Sequence, residues 1–311
     1  MISIAAGPVP LSLGEISRAL FGGEPADKAY QIVRFVRLPR TLAAMLTGSA
    51  LSAAGVILQT VLNNALASPN ILGINAGAGL FTIALAALFP GLLLFTPLAA
   101  FAGALLAALI VYAVARGTGA SRMAIVLSGV AVSSFLGALT DAILTFYPDT
   151  QMNRMAFLIG GFSGVTMDSL RLPAVCILLG LTAACVLGYD MNLLSLGDEA
   201  AASLGMRTGL MRFLFMLIAA LLAGSAVSIA GLIGFIGLIV PHAARFLIGH
   251  DSRFLLPLCV LLGGAFTLAC DLLARLLFAP YELPVGIVMS FLGGPFFIFL
   301  LLRRKRGKLH A

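Results

Sequence analysis

The chain has 311 residues, of which 61% are hydrophobic and only 10% are charged, and its mean hydropathy is +1.10. Soluble domains average about 45–50% apolar and about 25% charged residues, so this composition excludes a soluble protein and indicates an integral membrane protein. The net charge of +7 comes mainly from Lys and Arg in loops and at the tail, where they set membrane orientation. It gives no sign of nucleic-acid binding.

The apolar stretches predict an all-α fold. They are longer than the alternating strands of a membrane barrel, and a helix satisfies its own backbone hydrogen bonds in lipid. We therefore predict one polytopic membrane domain over residues 1–311. The cysteines lie singly in apolar runs without metal-ligand spacing, so we interpret them as small buried hydrophobic residues. They are Cys176, Cys185, Cys259 and Cys270.

Residues 1–40 are too polar and too often interrupted by glycines and prolines to cross a bilayer, and the orientation given below makes them an extracytoplasmic segment. Ser12 and Glu15 have the spacing of a capping box, which predicts a short surface helix over residues 13–21. Three arginines then fall within seven residues: Arg34, Arg37 and Arg40. They are candidates either for contacts with lipid headgroups or for docking an acidic partner.

Apolar runs near the ~20 residues that a membrane span requires occur nine times. The predicted spans are 41–62, 71–89, 92–115, 123–147, 172–189, 213–233, 235–248, 255–277 and 283–302. Ala44, Gly48 and Ser52 are spaced for close helix packing in the first of them. Glycine at every third position from Gly231, followed by Pro241, predicts that the seventh span is short or broken; such a span either lines a solute route or serves packing.

The basic tail, residues 303–311, predicts a cytoplasmic C-terminus by the positive-inside rule. Alternation then places the loops 116–122, 190–212 and 249–253 in the cytoplasm and the N-terminus outside. Since no translocation signal accounts for an outside N-terminus, we expect that a first span is missing from this chain.

Residues 192–212 are the only long polar interruption in the second half of the chain. Ser195 and Asp198 have capping-box spacing, residues 200–204 favour a helix, and Gly205 is a typical helix stop. A second short turn over 206–212 would give two small helices with a bend between them. Such a knob suits a groove on another protein; an ordinary connecting loop is the alternative.

Polar residues at membrane depth need a reason. Asp271 and Arg275 are four residues apart and can pair on one helix face, although Arg275 could also face outward. Asp141 has no neutralising neighbour in sequence, so it either faces a water-filled cavity or pairs across helices. Gln59, Asn63 and Asn64 end the first span, and we interpret the polar segment 63–70 as a bend at the cytoplasmic mouth, with helix packing as the alternative.

Four segments carry a resemblance to a known family. Residues 37–79 (RLPRTLAAML…), 193–205 (LLSLGDEAAASLG), 231–251 (GLIGFIGLIVPHAARFLIGHD) and 271–304 resemble the permease subunits of bacterial ABC importers for iron-siderophores, haem and cobalamin. The match is collinear from about residue 3. Since the alignment starts just after the family's first span would end, a misplaced start codon or a truncated chain is expected.

The resemblance implies ten spans per subunit, nine of them visible here, in a type II ABC importer fold in the bacterial cytoplasmic membrane. It implies four partners beside the lipid bilayer: a second permease subunit, two cytoplasmic ATPase subunits and an extracytoplasmic binding protein. ATP would bind to the ATPases, and this chain, which has no GxxxxGK[ST] motif, would need no cofactor.

The resemblance also assigns roles to individual residues. Arg37, Arg40 and Arg275 match arginines that meet glutamates of the binding protein in the cobalamin permease. The knob matches the coupling helices that sit in the ATPase groove, with Ser195, Leu196, Gly197, Asp198, Glu199, Ala202, Leu204 and Gly205. The gate and pathway positions are Gln59, Asn64, Leu66 and Ser121. The family's usual Asn-Pro-Leu-Ala is Asn-Ala-Leu-Ala here, over residues 64–67.

The leading hypothesis is therefore an ABC importer permease for an iron-siderophore chelate, working as a homodimer or with a paired homologue; haem and cobalamin are alternative cargoes. A hypothesis of another class is a stand-alone secondary transporter that uses Asp141 and Asp271 as proton or ion carriers. An intramembrane enzyme lacks a plausible nucleophile and base pair.

Overall fold

The computed structural model describes residues 2–5, 9, 11–22, 27–117, 122–277 and 281–307. Within these residues the chain is helical and contains no strand, which confirms the predicted all-α class. The helices of the first half are α1 (Leu13–Phe21), α2 (Lys28–Val61), α3 (Ile74–Leu88), α4 (Thr96–Gly117) and α5 (Arg122–Phe146). Those of the second half are α6 (Gln151–Ile159), α7 (Met167–Val186), α8 (Gly188–Ser195), α9 (Asp198–Ser203), α10 (Thr208–Ala230), α11 (Ile236–Ile248), α12 (Ser252–Leu276) and α13 (Val285–Gly307).

Each of the nine predicted spans coincides with an apolar helix. Six helices of the described chain are long and apolar enough to cross a membrane, namely α2, α4, α5, α7, α10 and α12. The other three, α3, α11 and α13, are shorter apolar helices. The bundle therefore has the predicted order of elements, with spans of unequal length.

The first span begins earlier than predicted. Instead of starting at residue 41, α2 is helical from Lys28, and residues 32–37 form a π-helical stretch within it. The predicted span started only after Arg40, because a charged residue normally marks the end of an apolar run. Arg37 and Arg40 are nevertheless buried in the folded chain, where their guanidinium groups donate hydrogen bonds to other residues.

Small residues bring α2 into contact with its neighbours. A Cβ added to Gly48 would overlap the backbone of Gly263 and the side chain of Thr267 in α12. One added to Gly55 would overlap the backbone of Gly237 in α11. Between lipid-embedded helices, such close approach gives the van der Waals contact that stabilises packing. The prediction of a tightly packed small-residue face is confirmed at Gly48.

The predicted break before α11 is also confirmed. Gly231 and Phe235 both have left-handed backbone (φ 66° and 67°), and the residues between them are not helical. The N–H of Leu232 donates to the carbonyl of Phe157 in α6 at 2.9 Å, so part of the freed backbone is satisfied. The sequence did not predict α6, which is short and polar on one side.

The N-terminal prediction of a capped short helix is correct. Helix α1 begins with a capping box in which the Glu15 N–H donates to Ser12 Oγ and the Ser12 N–H donates to Glu15 Oε2. Ile16 and Ala19 of α1 pack against Val33 of α2 in a small separate cluster. The N-terminal segment is thereby fixed against the start of the first span.

Candidate functional site

A buried ionic cluster lies near one end of the bundle, where α2 meets α12. Asp271 is fully buried (0% exposed), and its Oδ1 accepts a hydrogen bond from Arg40 Nε at 3.0 Å. Its Oδ2 lies 3.1 Å from Arg275 Nε. Arg40 also donates to Glu282 Oε2 through Nη1 at 2.6 Å. The cluster therefore joins α2, α12 and the segment before α13.

Arg37 and Arg275 also hold the N-terminal residues. Arg37 donates to the carbonyl of Ala5 at 2.9 Å and to the carbonyl of Val9. Arg275 donates to Ser3 Oγ at 3.0 Å. With Arg40, they bring three guanidinium groups to this end of the bundle. The three arginines proposed for docking thus lie together, and each is buried within this subunit.

The Asp271–Arg275 pair confirms the sequence prediction, since residues four apart share a helix face. The partners of Arg40 were missed. Asp271 and Glu282 are more than two hundred residues away from it in the chain, and no local pattern could have linked them. Arg34 is exposed and stacks its guanidinium 5.7 Å from the centre of the Tyr30 ring.

Asp141 pairs across helices, which is one of the two interpretations that the sequence left open. Its Oδ1 lies 2.9 Å from Arg154 Nη1 in α6. The pairing could not be located in advance, because α6 itself was not predicted. Its consequence is that both intramembrane acids singled out from the sequence have an arginine partner.

The polar knob consists of α8 and α9, but it is built differently from the prediction. Ser195 is the last residue of α8 and donates to the carbonyl of Asn192 at 2.6 Å, so the predicted capping of the next helix by Ser195 is wrong. Gly197 is the residue before α9, and its φ of 106° is one that glycine adopts without strain. The expected stop at Gly205 is confirmed, with φ 86°.

The predicted second turn over residues 206–212 is also wrong, because Thr208 already begins the long helix α10. Asp198 instead forms an ion pair with Arg212 of α10 at 2.5 Å, and the Arg212 side chain is nearly buried. An unforeseen long-range pair thus replaces the local cap. It fixes α9 to the start of a membrane helix.

A second attachment joins the knob to α12. Asn192 Nδ2 donates to Asp251 Oδ1 at 2.7 Å, and its own Oδ1 accepts from the Ser252 N–H at 2.8 Å. Hydrogen bonds from Arg253, and then from Asn192, hold the pKa of Asp251 well below its ordinary value. Asp251 therefore stays ionised and also caps α12 through the Arg253 N–H.

The outer surface of the knob is exposed and partly apolar. Leu196 and Leu204 are each 62% exposed, and Glu199 and Ala202 are exposed as well. Ala201 is the only buried residue of α9. The two exposed leucines and the acidic side chains beside them form a partly apolar patch, of the kind that marks a contact site for another protein.

A cavity of about 560 Å³ lies beside the knob, at the end of α2. Gln59 and Asn64, two of the predicted gate residues, line it together with Ser195. The predicted bend is confirmed, because the chain leaves the helix after Val61 and makes a tight turn in which the Leu66 N–H donates to Asn64 Oδ1. Ser121, the fourth predicted gate and pathway residue, lies outside the described residues.

The cavity also brings together residues that no sequence motif links. His242 and Arg245 of α11 line it with His250. Arg245 Nη1 donates to Gln59 Oε1 at 2.5 Å. The spacing of His242 and Arg245, one turn apart on a helix, was the signal available in the sequence. His310 lies outside the described residues.

Comparison with known proteins decides the family. Residues 1–303 match the FecCD transport family. The chain belongs to this family. It is 39% identical to the iron(3+)-hydroxamate import system permease protein FhuB of Bacillus subtilis strain 168, an alignment that covers 98% of this chain and 80% of FhuB.

Other relatives of this FecCD-family chain serve different chelates. It is 36% identical to the hemin transport system permease protein HmuU of Yersinia pestis, over 98% of this chain and 93% of HmuU. It is 37% identical to the cobalamin import system permease protein BtuC of Halobacterium salinarum, over 90% and 75%. The chain is thus a membrane permease of the ABC importers for iron chelates, haem or cobalamin.

A solved structure supports the same assignment for the fold. An inward-facing transporter described as being of the metal-chelate ABC type aligns with a TM-score of 0.84 at 29% identity, covering 97% of this chain and 94% of that chain. The fold of that transporter is therefore shared by nearly the whole chain.

Proposed function

We propose that this chain forms the translocation pathway of an importer for an iron-siderophore chelate. Relatives named for ferric hydroxamate and ferric citrate support an iron chelate, while the hemin and cobalamin relatives keep haem and cobalamin as alternative cargoes. The chain would work as a homodimer in the bacterial cytoplasmic membrane, with its C-terminus inside. The chelate would pass between the two copies.

The observation that carries this proposal is the exposed knob of α8 and α9. Its two protruding leucines and Glu199 offer a contact surface for an ATPase subunit, one on each permease copy. The Asp198–Arg212 pair ties this surface to α10, and Asn192 ties it to α12. A force applied to the knob would therefore reach two membrane helices directly.

At the other end, the ionic cluster supports docking of a binding protein. The cluster contains Arg37, Arg40 and Arg275, and exposed Arg34 lies in the same stretch of chain. Glu282, whose side chain is 32% exposed, covers Arg40. Acidic residues of a binding protein would be attracted to this face, and one of them would reach Arg40 by replacing Glu282.

The geometry gives little support to a secondary transporter. Asp141 is paired with Arg154, and Asp271 lies between Arg40 and Arg275. A proton carrier in a membrane needs an acid that can lose its charge and regain it. Both acids are instead engaged in ion pairs with arginine, which is a structural use of the carboxylate.

The test is reconstitution in proteoliposomes. With the cognate binding protein and ATPases, we expect uptake of the ferric siderophore only when ATP is present, and competition with haem and cobalamin in the same assay would rank the cargoes. Uptake by this chain alone, driven by a proton gradient, would contradict the proposal.

A further inference from the structure

The cavity at the end of α2 has the size and lining of a ligand site. Its volume of about 560 Å³ lies within the ~300–1,000 Å³ typical of small-molecule pockets. The polar groups around it are amides, hydroxyls, two imidazoles and one guanidinium; no Asp or Glu is among its lining residues. The cavity is thus suited to an anion rather than to a cation.

Arg245 is the charged group of this cavity. Its one hydrogen-bonding partner is the neutral amide of Gln59, and no carboxylate of the described residues forms an ion pair with it. A guanidinium presents a planar set of N–H donors that matches a carboxylate or phosphate. Arg245 therefore retains donors for an incoming anion.

The position of Arg245 is fixed by buried contacts. Gln59 is buried and donates through Nε2 to the carbonyl of Gly237 at 2.9 Å, while its Oε1 accepts from Arg245. The close approach of Gly55 to Gly237 places the two helices at the distance that Gln59 can bridge. Both ends of the amide are thus used to orient the guanidinium.

The neighbouring groups add to this arrangement. The ring of His242 stands edge-on to Phe246, with 5.0 Å between centroids, and so is held at the cavity wall. Asp251 follows His250 in the chain but is engaged by Arg253 at 2.7 Å and by Asn192. Asp251, the acid nearest to His250 in sequence, is therefore paired with Arg253 and not with Arg245.

We propose that this cavity is a binding site for a small carboxylate-bearing molecule, with Arg245 as its anchoring cation and Gln59 as the residue that positions Arg245. The inference rests on the proposed function only for the origin of the ligand, which would be the carboxylate arms of a chelate arriving at the inner mouth. A site of this kind would favour acidic chelates over neutral ones at the last stage of passage.

The test measures binding of citrate to the full chain in nanodiscs, without ATPases, binding protein or ATP, by isothermal titration calorimetry. We expect saturable binding that weakens about tenfold or more in Arg245→Gln, since hydrogen bonds to a charged group are lost. Arg245→Lys keeps the charge but not the planar fork and should bind with intermediate affinity. Arg207→Gln removes an exposed charge just before α10, away from the cavity lining, and should leave the affinity unchanged.

Two results would overturn the inference: no citrate binding by the chain, or equal affinity in Arg245→Gln. Loss of citrate binding on adding the ATPases would make the cavity an ATPase contact and would overturn it too. Iron-loaded citrate and inorganic phosphate serve as further probes, to separate a chelate from a simple oxyanion. Because the assay contains no ATP, its outcome is independent of whether uptake is ATP-driven.

Discussion

Asp271 is fully buried between two guanidinium groups, and its carboxylate contacts both. Replacing it with asparagine would leave Arg40 and Arg275 facing each other with only Glu282 nearby. Removing one partner of a buried ion pair typically costs about 3–5 kcal/mol, because the remaining charge is not compensated.

We therefore expect Asp271→Asn to lower the thermal unfolding temperature of the purified permease by several degrees, measured in detergent. Asp168→Asn is the matched control, because Asp168 pairs with Arg171 on the surface and both side chains are about 80% exposed. Equal unfolding temperatures for the two variants would show that the buried cluster does not stabilise the fold.

Glu282 allows a separate test of the outer face. Glu282→Gln removes the partly exposed partner of Arg40 but leaves Asp271 in place, so the arginine stays buried with one carboxylate. We expect the binding protein to bind this variant more tightly, by a factor that shrinks at high salt. Asp149→Asn, which removes another exposed acid, controls for the general change in charge.

Affinity that falls in Glu282→Gln, or that rises as much in Asp149→Asn, would contradict the exchange of carboxylates at Arg40. Reversing Arg40 itself to Glu is a poorer test. Such a variant would place a third carboxylate beside Asp271 and Glu282 inside the protein, and misfolding would imitate lost docking.

At the scale of elements, the contact between α2 and α11 depends on two glycines. A Cβ at Gly55 would overlap the backbone of Gly237, which cannot move aside as a flexible side chain could. We expect Gly55→Ala to destabilise the protein by about 1–3 kcal/mol through overpacking. Thermal unfolding would measure the effect.

Gly137 of α5 provides the matched control, because a Cβ added there meets no atom within 4 Å. In a helix, alanine is favoured over glycine by roughly 0.5–1 kcal/mol, so Gly137→Ala should be neutral or stabilising. If Gly55→Ala unfolds at the same temperature as Gly137→Ala, the two helices are not held by this contact.

The knob gives a further prediction at this scale. Glu199 is exposed and pairs with no described cation, whereas Asp198 is engaged by Arg212. Glu199→Lys should therefore disturb the ATPase contact without disturbing the fold, so that ATP hydrolysis no longer drives uptake. Asp198→Lys combined with Glu199→Lys should do the same and also loosen α9.

Chelate uptake per ATP hydrolysed, in proteoliposomes, measures this coupling. Normal coupling in Glu199→Lys would remove Glu199 from the contact surface. The unfolding temperature then separates the single variant from the double one, because only the double variant loses the pair with Arg212.

Over the whole molecule, the sequence predicted the order of the apolar helices, since each depends on a local run of hydrophobic residues. It missed α6, which is short and carries Arg154. It also started the first span too far along the chain, because arginines near the true start of that helix are paired with distant residues. The cap at Ser195 was wrong for the same reason: Asp198 found Arg212 instead. Long-range pairs decided the last two of these cases.

Helix α2 connects the two ends of the permease without interruption. Arg40, in the ionic cluster, and Gln59, at the inner cavity, lie on the same regular stretch, about 28 Å apart at about 1.5 Å of rise per residue. Such a rod acts as a lever: a tilt of about 5° around its midpoint would shift both tips by about 1.2 Å in opposite directions. Opening at one mouth would then be mechanically opposed to opening at the other.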